Sequence, residues 1–272
     1  MMTILRRALR RIRRKSTAPD PPSPPLQTRS TYSEPGNQWY APAMAGPLSF
    51  LSDVGGAEPV TLALNVLDVL SSDAYLEFVR NFYKAGLANI GPGWAYADIN
   101  TVLLGLARRL RVENYLEIGV RRGRSMAMVA SQVPDCRIVG FDIWMENYAG
   151  MENPGPSLVR EELARVGYAG SVEFIDGDSK DTVPAYFAAH PNEYFDLITV
   201  DGDHSTEGAR RDLQNVMPRI KIGGALVFDD ISHQLHPTLS AVWKSVVEDD
   251  SRFSSYSFAE VGFGVGFAIR RR

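Results

Sequence analysis

A chain of 272 residues with 44% hydrophobic content and a formal net charge of −3 is long enough for one sizeable α/β domain with appendages. Seven of the 29 basic residues lie between Arg6 and Lys15, leaving 22 basic against 32 acidic residues (a net of −10), and so acidic a body excludes nucleic acid as the main partner. The single cysteine, Cys136, excludes an internal disulfide and fits a reducing, cytoplasmic compartment, and no apolar run approaches the roughly 20 residues that span a bilayer.

Residues 1–15 set Ile4, Leu5, Ala8, Leu9 and Ile12 at helical spacing among arginines. A solvated basic tail fits this pattern, as does a basic amphipathic helix in peripheral contact with the inner face of a membrane, or an organellar transit peptide. Prolines then recur with little to bury, so residues 1–47 read as a basic arm and a Pro-rich disordered linker. Residues 48–97 form an N-terminal helical unit. Apolar spacing predicts helices over 62–70 and 73–87, which pack against the main sheet or, with the loop at 91–96, make a lid over a site.

From residue 98 a helix leads into a short strand at 115–118, a turn punctuated by Gly119 and Gly123, and a helix over 125–132. The spacing is G-x-x-x-G, not the G-x-G-x-x-G of dinucleotide-binding proteins, and an ordinary tight turn and a cofactor loop both fit it. The next strand, 136–141, decides between them. It ends on Asp142, 23 positions after Gly119, where a carboxylate can accept hydrogen bonds from both hydroxyls of a ribose. Turn and acid together predict an adenosine-containing cofactor.

Glu117-x-Gly119-x-x-x-Gly123 with a later strand-end acid resembles the class I S-adenosylmethionine-dependent methyltransferases, over about residues 99–270. The resemblance implies a doubly wound, mainly parallel seven-stranded sheet of Rossmann-like type in a domain spanning 98–272. Glu117, Gly119 and Gly123, with Ser125 and Asp201 nearby, would then hold the amino-acid part of the cofactor, and Asp142 its ribose. Asp178, after a third strand at 172–175, would meet the adenine; capping the next helix is its other reading.

A fourth strand at 195–200 runs into Asp201-Gly-Asp-His204-Ser, and a fifth at 225–228, following Gly223 and Gly224, runs into Asp229-Asp230. If these strands pair, three carboxylates converge beyond the carboxyl ends of the sheet and need a cation to offset their repulsion. Hard oxygen ligands suit Mg²⁺, so Asp201, Asp229 and Asp230 are the expected metal set. His204, with a pKa near neutrality, is the expected general base. The arrangement resembles metal-dependent O-methyltransferases of the catechol type and of macrolide-sugar modification. The catechol branch has lysine where this chain has His204 and asparagine where it has Asp230, which points away from a catechol substrate. Asp203 has no assigned role, and His233 and His236 either line a substrate pocket or sit exposed in a loop.

Strands at 253–258 and 265–270 read as an antiparallel edge pair, and the glycines at 262, 264 and 266 as structural. The expected function is a Mg²⁺-assisted O-methyltransferase that uses S-adenosylmethionine on a hydroxyl of a sugar, glycoside or small diol. Its partner is that small-molecule acceptor, and a homo-oligomer is one open assembly. The alternatives are a metal-independent methyltransferase, a hydroxylase-like protein on the same fold, a nicotinamide oxidoreductase and a non-catalytic binding protein.

Overall fold

The computed structural model describes residues 43–272. The basic arm and most of the proline-rich linker lie outside the described residues. Among those described, no helix is long and apolar enough to cross a membrane.

Seven strands form one sheet in the order β3-β2-β1-β4-β5-β7-β6. β1 (Asn114–Ile118), β2 (Arg137–Asp142), β3 (Val172–Asp176), β4 (Phe195–Val200) and β5 (Ile220–Asp229) run parallel, and β7 (Val265–Arg270) enters antiparallel between β5 and β6 (Phe253–Phe258). The period-2 alternation of side chains divides the apolar residues between two faces. Tyr115 and Ile138 join one cluster, with α2 (Ala57–Leu67), α4 (Ile99–Arg109) and α5 (Arg124–Gln132); Leu116 and Val139 join the other, with α7 (Ser179–Ala189) and α8 (Thr206–Val216). Helices on both faces of a parallel sheet make the doubly wound architecture expected from the sequence.

The N-terminal helices are core elements. α1 (Leu51–Val54) and α2 bury Phe50, Val54, Val60, Ala63 and Leu67 in the first cluster. α3 (Ala74–Asn89) is capped by Asp73, whose side chain accepts from the N–H groups of Tyr75 and Leu76. α4 starts in a capping box between Asp98 and Thr101. Asp98 also accepts from the hydroxyls of Tyr83 at 2.5 Å and Tyr96 at 3.1 Å, tying α3 to the segment before α4.

Two local expectations are corrected. β5 begins at Ile220, not at residue 225, because the strand runs through Gly223 and Gly224. Gly223 has φ 84°, and the register with β4 shifts between Phe195 and Leu197, so these glycines mark a strand irregularity. A helix absent from the sequence reading, α9 (Leu239–Trp243), buries Leu239, Val242 and Trp243 and continues as a π-helical turn over Lys244–Glu248. Gly266 in β7 leaves room for it, since a Cβ there would lie 2.5 Å from the Trp243 indole.

α4 and α1 approach closely at Gly105, where a Cβ would fall 2.2 Å from the Asp53 carbonyl oxygen. Ala is favoured over Gly in a helix by about 1 kcal/mol, but forcing a methyl into packed backbone costs about 1–3 kcal/mol or more. Gly105→Ala should therefore lower the urea unfolding midpoint, by about 1–2 kcal/mol of net stability; a raised midpoint would contradict the packing described.

Candidate active site

Consecutive strands step outward from β1 to β3 and then return to β4 on the other side of β1, so a crevice opens beyond the carboxyl ends of β1 and β4. The β1–α5 turn lies there. Gly119 has φ 89° and Gly123 φ 73°, a region that favours glycine. A Cβ at Gly119 would sit 1.9 Å from the Asp201 carbonyl oxygen, and one at Gly123 2.7 Å from Val159. Glu117, fully buried beneath the turn, accepts hydrogen bonds from the hydroxyls of Ser125 and Tyr115, both at 2.5 Å. Burial pushes its pKa up to about 8, the two hydroxyl donors oppose the rise, and the charges of Asp201 and Asp142 add to it. Glu117 and Ser125 thus brace the turn from within.

Asp142, at the tip of β2, accepts from the backbone N–H of Arg121 at 2.6 Å through Oδ2 and of Trp144 at 2.5 Å through Oδ1. These bonds fix the carboxylate in the crevice, and each oxygen keeps a further lone pair. Asp178 caps α7 by accepting from the Lys180 N–H at 3.0 Å and pairs with the Lys180 ammonium at 2.6 Å. Its carboxylate is exposed and engaged locally, and this pairing holds its pKa below the usual value.

Asp201, His204 and Asp230 come together, each offering a ligand atom within 4.8 Å of the others. His204 Nε2 lies 3.3 Å from Asp201 Oδ1 and 3.7 Å from Asp230 Oδ2. Burial works against the imidazolium, but the hydrogen bond and charge of Asp201, with Asp230 and Asp203 behind it, raise the His204 pKa overall. Asp230 is raised to about 7, first by burial and then by Asp201, against the opposing effect of His204. Asp229 stands one residue back. It pairs with Val265 in the β5–β7 ladder, and burial with the charges of Asp201 and Asp230 holds its carboxyl well above the usual range. It belongs to the acid cluster, while His204 rather than Asp229 completes the closest trio. His236 stacks edge-on to His204 at 4.8 Å, and His233 lies 5.0 Å from His236.

Four non-glycine residues with positive φ lie in the segments that follow β1, β2 and β5: Arg121 at 51°, Trp144 at 53°, Asn147 at 53° and Asp230 at 62°. Strain of this kind concentrates where structure serves a ligand. Sequence reasoning missed Asp73. It accepts from the Arg122 guanidinium at 2.8 Å and from that of Arg124, so one carboxylate joins the start of α3 to the turn. Its position before an apolar periodic run signalled a helix cap, whereas nothing local signalled a partner 51 residues away.

The model of a family described as a methyltransferase domain matches residues 116–231, which contain the turn, Asp142 and the whole acid cluster. Over these residues the chain matches a methyltransferase domain, in agreement with the resemblance read from the turn and the strand-end acid. Among solved structures, the fold of this chain is similar to that of the O-methyltransferase TomG from Streptomyces achromogenes in complex with S-adenosylmethionine. The two are 22% identical, with 75% of this chain and 92% of that one covered and a TM-score of 0.52. The calicheamicin methyltransferase CalS11 gives 20% identity, 78% and 91% coverage and a TM-score of 0.48. The Podospora anserina methyltransferase PaMTH1 with S-adenosylhomocysteine bound gives 15%, 80% and 90%, and 0.46. A comparison with curated protein sequences found no match.

The buried Glu117 makes a linkage prediction. Its folded pKa of about 8 exceeds the unfolded value of 4.5, so the native state binds the extra proton and its contribution to stability is lost as pH rises from 4.5 through 8. Urea midpoints of the wild type should fall relative to Glu117→Gln across that window, by several kcal/mol in all. Parallel pH profiles for the two proteins would contradict a neutral buried carboxyl.

Proposed function

We propose that this protein transfers a methyl group from S-adenosylmethionine to a hydroxyl of a sugar, glycoside or other small diol, with Mg²⁺ held at the acid cluster. The observation that carries this reading is the meeting of Asp201, His204 and Asp230 beside a glycine turn whose neighbour Asp142 presents a fixed carboxylate. The cofactor assignment is further supported by TomG, an O-methyltransferase of similar fold described with S-adenosylmethionine.

S-adenosylmethionine supplies an electrophilic methyl group on its sulfonium. Asp142 accepts the ribose hydroxyls, and Gly119 and Gly123 let the main chain approach the amino-acid part. The donors of the acid cluster fit a hard cation: they are carboxylates, and two of them are pushed toward the neutral form first by burial and then by the charge of neighbouring carboxylates. Asp201 and Asp230, with Asp229 behind them, would hold Mg²⁺, which would supply positive charge that lowers the pKa of an acceptor hydroxyl. His204 would take the hydroxyl proton, its Nε2 exchanging the contact it makes with Asp201 at 3.3 Å for the acceptor hydroxyl. The protein's contribution is placement of the acceptor oxygen in line with the methyl group and exclusion of water.

A metal-independent form of the reaction has one observation in its favour. His204 already pairs with Asp201 and Asp230, and its protonated ring would supply part of the missing positive charge.

Calorimetry and turnover separate the readings. S-adenosylmethionine should bind the wild type and lose about 10- to 100-fold in affinity in Asp142→Ala, the scale of hydrogen bonds to a charged acceptor. A separate Mg²⁺ heat should vanish in Asp230→Ala. His204→Ala should keep both heats while turnover falls about 100- to 10,000-fold. Loss of the Mg²⁺ heat in His204→Ala would make the histidine a ligand, and full turnover with excess chelator would favour the metal-independent form.

A further inference from the structure

The three arginines of the β1–α5 turn have unequal surroundings. Arg122 and Arg124 are both paired with Asp73. Arg121 has no carboxylate partner among the described residues, and its Nη2 is buried without a hydrogen-bond acceptor. Its backbone N–H is committed to Asp142 at 2.6 Å, so the residue is fixed directly above the ribose-binding acid. Its guanidinium carbon lies 5.5 Å from the Tyr75 ring centre and 5.0 Å from that of Tyr148. Tyr75 belongs to α3 and Tyr148 to the loop between β2 and α6 (Pro156–Arg165), so the cation is held between two elements that flank the crevice.

The backbone at Arg121 adds a second argument. Its φ of 51° is one that glycine adopts without strain, and the same turn uses glycine at positions 119 and 123. An arginine held in that conformation, with a buried N–H left unpaired, bears two costs whose natural compensation is a ligand. Both tyrosines lie on the acid side of the crevice: after burial, the charge of Asp229 acts most strongly on Tyr75 and that of Asp201 most strongly on Tyr148. A planar guanidinium with free N–H groups matches a carboxylate or phosphate in a two-pronged contact.

We propose that Arg121 is an oxyanion-binding residue: its guanidinium, held between Tyr75 and Tyr148, takes a carboxylate or phosphate of the small molecule bound at the carboxyl edge of the sheet. The inference rests on the methyltransferase reading of that site. Two sources carry such a group, the amino-acid end of the cofactor and an acidic acceptor.

Calorimetric titrations of the full chain and of Arg121→Gln distinguish them. S-adenosylhomocysteine is one probe. Methylthioadenosine, which keeps the adenosine and lacks the carboxylate, is the second. Inorganic phosphate and succinate, added to protein saturated with S-adenosylhomocysteine, are the third. If the cofactor is the source, Arg121→Gln binds S-adenosylhomocysteine about 10- to 100-fold more weakly and methylthioadenosine as well as the wild type does. If the acceptor is the source, both nucleosides bind the variant normally, and anion binding to the saturated wild type disappears in it. Arg121→Lys should recover part of either loss, since it restores the charge without the planar fork. The proposal is overturned if S-adenosylhomocysteine affinity is unchanged and the wild type and Arg121→Gln bind the anions equally or not at all. Methylthioadenosine bound equally by both proteins shows that the variant is folded and the adenosine site intact, so this failure is distinct from failure of the methyltransferase reading. Absence of both nucleosides from the wild type would sink the two together.

Discussion

Between the ends of β1 and β4 there is no space for a side chain. Gly119 faces the carbonyl of Asp201 so closely that its missing Cβ would lie 1.9 Å from that oxygen, and a Cβ at Gly202 would lie 2.8 Å from Ile118. The Asp201 N–H donates to the Ile118 carbonyl at 2.8 Å, and the Gly119 N–H to the Phe141 carbonyl at 2.9 Å. Three strand ends are thereby locked to one another by main-chain atoms. The glycine turn, Asp142 and the first acid of the cluster are joined in one unit. Side-chain rotamers alone could not hold that relation so closely, because each would add its own freedom.

Charge is distributed around this unit in a way that leaves the site unbalanced. Asp142 is satisfied by two backbone N–H groups, and Asp73 by two arginines and the start of α3. Glu117 is held in a network of hydroxyls and driven toward neutrality. Among the described residues the ion-pair partner of Asp201 and Asp230 is His204, and burial raises the cost of the negative charge left at Asp229 and Asp230. A fold needing stability alone could replace such acids with apolar residues at little loss or some gain. Their concentration at the carboxyl edge of a doubly wound sheet is therefore evidence of a site rather than of scaffolding.

The sequence made the layer architecture readable because apolar periodicity and turn residues agree along most of the chain. β4, β6 and β7 fall where the pattern places them. Its errors have local causes. Gly223 and Gly224 look like punctuation before a strand, yet they sit inside β5, because a glycine irregularity interrupts the ladder with β4 without ending the strand. α9 is too short to show a helical period and has no side-chain cap to announce it. At the site, Asp142, Asp201 and Asp230 were legible as strand-end acids. The ion pairs of Asp73 and the isolation of Arg121 were not, because both follow from which distant groups the fold brings near. The roles of Glu117 and Asp178 are likewise a matter of surroundings: one carboxyl is sealed beneath the turn and the other is exposed, paired with Lys180.

The N-terminal helices illustrate how a segment read as either packing or lid can be divided by burial. Phe50, Val54, Leu67, Leu76 and Tyr83 are sealed in the core, and Gly86 of α3 is packed so tightly under Trp94 that a Cβ would lie 2.1 Å from its ring. Moving α1, α2 or the body of α3 would open that core, so these helices form a wall. The first turn of α3 carries Tyr75, which meets Arg121 of the β1–α5 turn. Loops that follow strands expose apolar side chains: Ile143, Met145 and Tyr148 after β2, Leu235 after β5, and Phe263 in the β6–β7 hairpin. The hairpin is fixed to the β5 loop by main-chain bonds from Ile231 to Gly264 and from Ser232 to Phe263. The segment after β2 has no such main-chain tie among the described residues and is held by side-chain bonds, Trp144 to Asp176 at 2.7 Å and Arg122 to the Glu152 carbonyl at 2.8 Å. Closure over a bound molecule is therefore least costly on the Tyr148 side, where few buried contacts would have to be broken.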